Sequence, residues 1–248
     1  MHRLVAGGLT LILLCGPAVA AEIRVLSAGA VEPGLHKAVE QFRQSTGHEV
    51  TIQFNTAPQI VQRMQDGYVA DVVIAPSAGL KQQADAGRIV ADGHATVGKV
   101  GIGIVVRKDA PSPTVATTDE IKTAVLGVDS VVYNTASTGL YLERLFERLG
   151  VADQIKGKAT RPPSGEAVMQ TVVGGSGSQI GFGAITEIKL FETKGIKFLG
   201  PLPADIQNYT TYNAALTTNG PQPEAARAFV TYLATPEARR IFAAAGIE

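Results

Sequence analysis

Three short stretches hold the residues best suited to chemistry: Ser27-Ala28-Gly29-Ala30, Asn55-Thr56-Ala57-Pro58 and Asn134-Thr-Ala-Ser-Thr-Gly139. All are small and polar, and none contains a charge. Each follows an apolar run and precedes an amphipathic one, so each reads as a strand-to-helix junction. The first amides of a helix have no intrahelical acceptor and carry the positive end of its dipole. Small side chains let an anion come close to those donors. Ser27, Asn55, Thr56, Ser137 and Thr138, with Thr135 beside them, are therefore the candidate ligand-binding residues. At any single junction the plainer alternative is simple N-capping. Recurrence at three junctions favours a shared anion site.

Two residues outside the junctions extend this chemistry. Arg161 precedes Pro162-Pro163-Ser164-Gly165-Glu166, and its guanidinium would pair bidentately with a carboxylate; the alternative is a solvated loop arginine. Glu166 is the candidate catalytic base, because burial at a cleft raises a carboxyl pKa. Its alternative role is that of an ordinary helix-start glutamate. Glu32 and His36 follow the first junction, and Tyr133 and Tyr141 would line a cleft, Tyr141 having the alternative of facing the core from its helix.

The elements that must position these residues alternate along the chain. Ile23–Leu26, Val50–Phe54 and Val72–Ala75 read as buried strands. Between the first two, Leu35, Ala38, Val39 and Phe42 recur with helical spacing, and Gly47 ends that helix. Thr56 followed by Pro58 opens the next helix. This β-α-β-α-β order predicts a parallel sheet with right-handed crossovers. A second block begins at Ile102–Val106 and runs through Ser130–Tyr133, the helix carrying Leu142, Leu145, Phe146 and Leu149, and strands near Ile180–Phe182 and Ile196–Leu199. After Gly200-Pro-Leu-Pro203 come Tyr212–Leu216 and two helices, the last capped at Thr235-Pro236-Glu237. The expectation is an α/β chain of two lobes, residues 21–101 plus 207–248 and residues 102–206, joined by two strands with the ligand cleft between them. In such sheets ligands sit beyond the carboxyl ends of the strands, where all three junctions lie.

Composition narrows the function. His2 and Arg3, an apolar run from Leu4 to Leu14 and Ala18-Val19-Ala20 make residues 1–20 an export signal. The run is too short to span a bilayer, and Leu14 before Cys15 argues against lipidation. Cleavage after Ala20 leaves no cysteine and 21 basic against 22 acidic residues. That balance excludes the basic footprint of a nucleic-acid or membrane-surface binder. His36, His48 and His94 lack paired metal spacing, so neither a metal centre nor a cofactor is expected. Gly174–Gly183 resembles a phosphate loop only in composition, and no Gly-x-Ser-x-Gly elbow is present.

The chain is similar to the periplasmic solute-binding proteins of the second structural type, in the branch of molybdate- and tungstate-binding proteins. The resemblance rests on Ile23-Arg-Val-Leu-Ser-Ala-Gly-Ala30, on Ala70-Asp-Val-Val-Ile-Ala75 after Asp66-Gly67, on Ser137-Thr-Gly-Leu-Tyr141 and on Phe242-Ala-Ala-Ala-Gly246. It implies a two-lobed fold with a hinge, a periplasmic monomer, and delivery of a small anion to the membrane subunits of an ABC transporter. Members that bind molybdate grip the oxyanion with hydroxyls at positions that here match Ala30, about Ala57 and Ala184. Each missing hydrogen bond to a desolvated anion costs about 1.5–3 kcal/mol, which argues against molybdate. The wider pocket favours a di- or tricarboxylate. Gly200-Pro-Leu-Pro-Ala-Asp-Ile-Gln207 and Ile180-Gly-Phe-Gly-Ala-Ile-Thr-Glu187 resemble a sub-branch similar to an exported aconitate isomerase. The alternative it implies is an allylic proton shift in the same cleft.

Overall fold

A computed structural model describes residues 20–248. The export signal expected over residues 1–20 therefore lies, apart from Ala20, outside the described residues. Strand β1 (Glu22–Ala28) leads through a 3-10 turn at Gly29–Val31 into α1 (Glu32–Thr46). Strand β2 (Glu49–Asn55), α2 (Ala57–Gln65), β3 (Val72–Pro76) and α3 (Ser77–Asp85) complete the first block. The 19-residue strand β4 (Ile89–Arg107) then carries the chain across the molecule.

The second block contains α4 (Thr118–Gly127), β5 (Ser130–Tyr133), α5 (Ser137–Arg148), the single turn α6 (Ala152–Ile155) and β6 (Ala159–Thr160). It continues with α7 (Gly165–Gly174), β7 (Gln179–Ala184), α8 (Ile185–Phe191) and β8 (Ile196–Pro201). Strand β9 (Tyr209–Thr217) returns to the first block, where α9 (Pro223–Leu233) and α10 (Pro236–Ala244) close the chain.

The strand order is β2-β1-β3-β9-β4-β7-β5-β6, with β8 also on β4. β1 pairs with β2 and β3 in parallel, as β5 does with β6 and β7. Strand β4 belongs to both halves: its stretch up to Gly101 pairs antiparallel with β9, and Ile102 onward pairs with β7 and β8. At the changeover the Gln207 side chain accepts from the Ile102 N–H at 2.9 Å and donates to the Ile102 carbonyl at 3.0 Å. It thus clamps the two crossing segments where they run side by side.

Separate apolar cores support the halves. Phe42, Phe229 and Phe242 anchor one with Leu26, Ile74 and Leu233. Tyr133, Phe146 and Phe182 anchor the other with Ile104, Ile121 and Leu145. At roughly 25 cal/mol per Å² of apolar surface, each such cluster is the main force holding its strands and helices together. The helices begin where the sequence places their caps. Gln59 accepts from the Thr56 N–H at 2.9 Å, and Thr235 accepts from the Ala238 N–H at 3.2 Å. Among the described residues, no helix is long and apolar enough to cross a membrane.

Candidate functional site

The carboxyl ends of β1, β2, β5 and β7 face a cavity of about 340 Å³. Its walls come from both halves. Ala28, Gly29, Ala30 and Glu32 line it on one side, followed by Asn55, Thr56, Ala57 and Gln59 at the start of α2. The other half contributes Asn134, Ser137 and Thr138 at the start of α5, Ser164, Gly165 and Glu166 at the start of α7, and Ala184 with Glu187.

The loop before α5 shows how the sequence leaves backbone amides free at the cavity. Asn134 is 3% exposed, and its side-chain oxygen accepts from the Ala136 N–H at 3.0 Å and the Gly139 N–H at 2.9 Å. Those two bonds, with Leu140 N–H donating to the Ala136 carbonyl, leave the Ser137 and Thr138 amides without an acceptor among the described residues. Gly139 must lack a side chain, because a Cβ there would run into the Asn134 carbonyl oxygen. At α7 the Ser164 hydroxyl accepts from the Ala167 N–H at 3.1 Å, which leaves the Gly165 and Glu166 amides at the cavity. At α2 the Thr56 N–H is taken by Gln59 and residue 58 is proline, so the Ala57 amide remains. Donors thus gather around one space from three helices of at least nine residues each.

Several acceptors also face the cavity. Asn55 Oδ1 is buried and has no hydrogen-bond partner. The Glu187 carboxyl is packed between Gly29 and Gly165, and part of its side chain looks into the cavity. Burial pushes it up from 4.5 to about 7, and the charges of Glu32 and Glu166 push the same way. The Ala184 backbone N–H opposes them by favouring the charged form. Burial, then the charge of Glu187, also push the Tyr212 hydroxyl up, so it stays neutral. The Lys194 ammonium, at the cavity, rests over the Phe191 ring, 4.4 Å from its centroid.

Of the residues singled out from the sequence, Asn55, Thr56, Ser137, Thr138 and Glu166 line this cavity, whereas Ser27, Thr135 and Arg161 do not. Ser27 is fully buried behind the wall, and its hydroxyl donates to the Ala28 carbonyl at 3.2 Å. Thr135 is exposed on the outer side of the loop. Arg161 is held by Glu143 and lies over the Tyr133 ring, 4.7 Å from its centroid, while donating to the Asn134 carbonyl at 3.3 Å. It braces the loop from behind. Tyr133, expected at the cleft, is instead buried in the core under Arg161, and Tyr141 donates its hydroxyl proton to the Ile206 carbonyl at 2.7 Å, away from the cavity. Glu166 corrects a second expectation. It is exposed and bonded to Gln170 at 3.0 Å, so the burial expected of it falls on Glu187 instead. Sequence reading missed Glu187 as a site residue, although its position three residues past Ala184, at a strand-to-helix junction, marks it.

Comparison with known proteins agrees with the fold. The profile of a family described as bacterial extracellular solute-binding protein matches residues 23–248. An aconitate isomerase from Pseudomonas sp is 29% identical over 248 residues, spanning 96% of this chain and 93% of that protein. The molybdate-binding protein ModA of Azotobacter vinelandii is 25% identical over 241 residues, covering 94% and 92%. The solved periplasmic molybdate-binding protein of Azotobacter vinelandii superposes with a TM-score of 0.77 at 18% identity, covering 91% of this chain and 98% of that one. The likeness to that structure establishes the two-lobed α/β fold.

Proposed function

Because the chain belongs to the bacterial extracellular solute-binding protein family, we propose that its cleft captures a small organic anion, a di- or tricarboxylate, in the periplasm. The observation that carries this reading is the gathering of free amides at the starts of α2, α5 and α7 around one cavity. Neutral donors of this kind hold carboxylates without the cost of burying a matching lysine or arginine. Ala30, Ala57 and Ala184 all line the cavity, so methyl groups stand where an oxyanion of four oxygens would need hydroxyls. The space of about 340 Å³ suits a ligand with its own carbon skeleton. In this reading residues 21–101 with 207–248 form one lobe and 102–206 the other. They close over the ligand about the Gln207 clamp and present it to an ABC transporter.

A second reading, catalysis as an aconitate isomerase, is favoured by the Glu187 carboxyl at the cavity and by the Pseudomonas relative. The ionised Glu187 carboxylate would take a proton from the methylene carbon beside the double bond. The electron pair would spread onto a flanking carboxylate facing the helix amides. The same carboxyl would return the proton one allylic position away, moving the double bond with no net change in atoms.

One experiment tests both readings: add cis- or trans-aconitate to the protein, then follow its melting temperature and the ligand's proton spectrum. Stabilisation without interconversion supports capture, turnover of one isomer into the other supports the enzyme, and stabilisation by molybdate alone contradicts both. Thr138→Ala should weaken trans-aconitate binding at least about tenfold, the loss of one bond to a charged group, at little cost to melting temperature. Unchanged affinity would remove Thr138 from the site.

A further inference from the structure

The cavity that must admit an anion already contains a carboxyl group with no cation paired to it. The Glu187 carboxyl lies at the meeting of the two halves, 3.4 Å from where a Cβ on Gly29 would stand. On the other side it presses against Gly165, where a Cβ would displace it. The groups around it are Glu32 on α1, Glu166 on α7, Tyr212 on β9 and Lys194 beyond α8. Lys194 makes no ion pair with it, and Lys189 on its own helix lies toward Gly246. No Glu187 ion pair exists among the described residues. One residue before, the Thr186 hydroxyl donates to the Ala30 carbonyl at 2.6 Å, a buried bond between the halves that fixes the start of α8. The Glu187 backbone is thereby fixed at the cavity wall.

We propose that the site takes up its anion together with one proton carried on the Glu187 carboxyl, which makes Glu187 the residue that sets the charge of ligand the cleft accepts. The inference rests on the capture reading. An ionised Glu187 would face a ligand carboxylate across a dehydrated space, where like charges repel strongly. A protonated Glu187 becomes a hydrogen-bond donor to the same ligand, adding to the amides of α5 and α7. Asn55 Oδ1, buried and unpartnered, is a further acceptor in the same space. A ligand hydroxyl or acid proton would satisfy it, whereas molybdate and sulfate at neutral pH bring acceptors only.

Proton linkage makes the binding depend on pH. In the free protein Glu187 titrates at about 7, and a bound anion raises that value further. Below about pH 6 the proton is already present, so binding takes up none. Above 7 each bound ligand must bring a proton, and affinity falls about tenfold per pH unit.

Calorimetry with trans-aconitate, in MES and in piperazine at pH 5.5 and in HEPES and in Tris at pH 8, counts the protons. The expected result is close to one proton per ligand at pH 8 and almost none at pH 5.5. Glu187→Gln should take up none at either pH and bind at pH 8 at least about tenfold more tightly than the natural protein. Binding by the natural protein with no proton uptake at pH 8 overturns the inference and leaves the capture reading standing. Failure of trans-aconitate to bind at both pH values overturns the capture reading, and the inference with it. The proton count of the natural protein decides the matter even if the Gln variant does not fold.

Discussion

Replacing Gly139 with alanine is expected to lower the melting temperature by on the order of 10 °C and to abolish trans-aconitate capture. Glycine-to-alanine inside a helix normally stabilises by about 0.5–1 kcal/mol. Here the sign reverses, because the new Cβ meets the Asn134 backbone carbonyl rather than a side chain that can turn aside. Relief requires the loop before α5 to move, which breaks the bonds from Ala136 and Gly139 to Asn134 Oδ1. Overpacking against fixed backbone costs about 3 kcal/mol, or roughly 6–12 °C for a chain of this size. The Ser137 and Thr138 amides lose their aim in the same movement. Thermal melting with a binding titration checks both effects, and a variant as stable as the natural protein would contradict the packing described for the loop.

Glu187→Gln has the second largest expected effect, and it runs in opposite directions for stability and for turnover. A carboxyl whose folded pKa is raised contributes its full stability below the unfolded value of 4.5, and loses it as pH rises from there through about 7. At pH 8 the natural protein therefore carries a buried charge that the amide variant lacks. The variant should melt higher there by on the order of 5 °C, and equally at pH 4.5. If the protein interconverts the aconitate isomers, the variant should lose about 10²–10⁴-fold in rate, because the base is gone. The natural enzyme's kcat should then rise with pH, since only the ionised carboxylate removes a proton. Melting curves across pH, with proton spectra of the ligand, read both outcomes. Equal melting of the two proteins at every pH would contradict the burial of Glu187.

The sequence made the strand-and-helix alternation legible because parallel strands buried on both faces are written as unbroken apolar runs, such as Val72–Ala75. The first half of β4 was harder to see. Asp92-Gly93-His94 and Gly98 interrupt its alternation, and its pairing with β9 shifts register at both places. Helices α3 and α4 have weak apolar stripes and were not read as elements. At the site, the junction residues were legible because helix capping is local, decided by a few consecutive positions. Arg161 was assigned to the ligand because its partner Glu143 lies eighteen positions earlier, on α5, where spacing gives no hint of contact. Glu187 escaped notice for the same reason. Its enclosure comes from Gly29 and Gly165, brought together only when the two halves meet.

Amides from both halves are proposed to hold one shared anion, and titrating ¹⁵N-labelled protein with trans-aconitate reads each amide separately. The resonances of Ala57, Ser137, Thr138 and Gly165 are expected to shift together along one saturating curve. Shifts confined to one half, or no shift at any of these four amides, would contradict it.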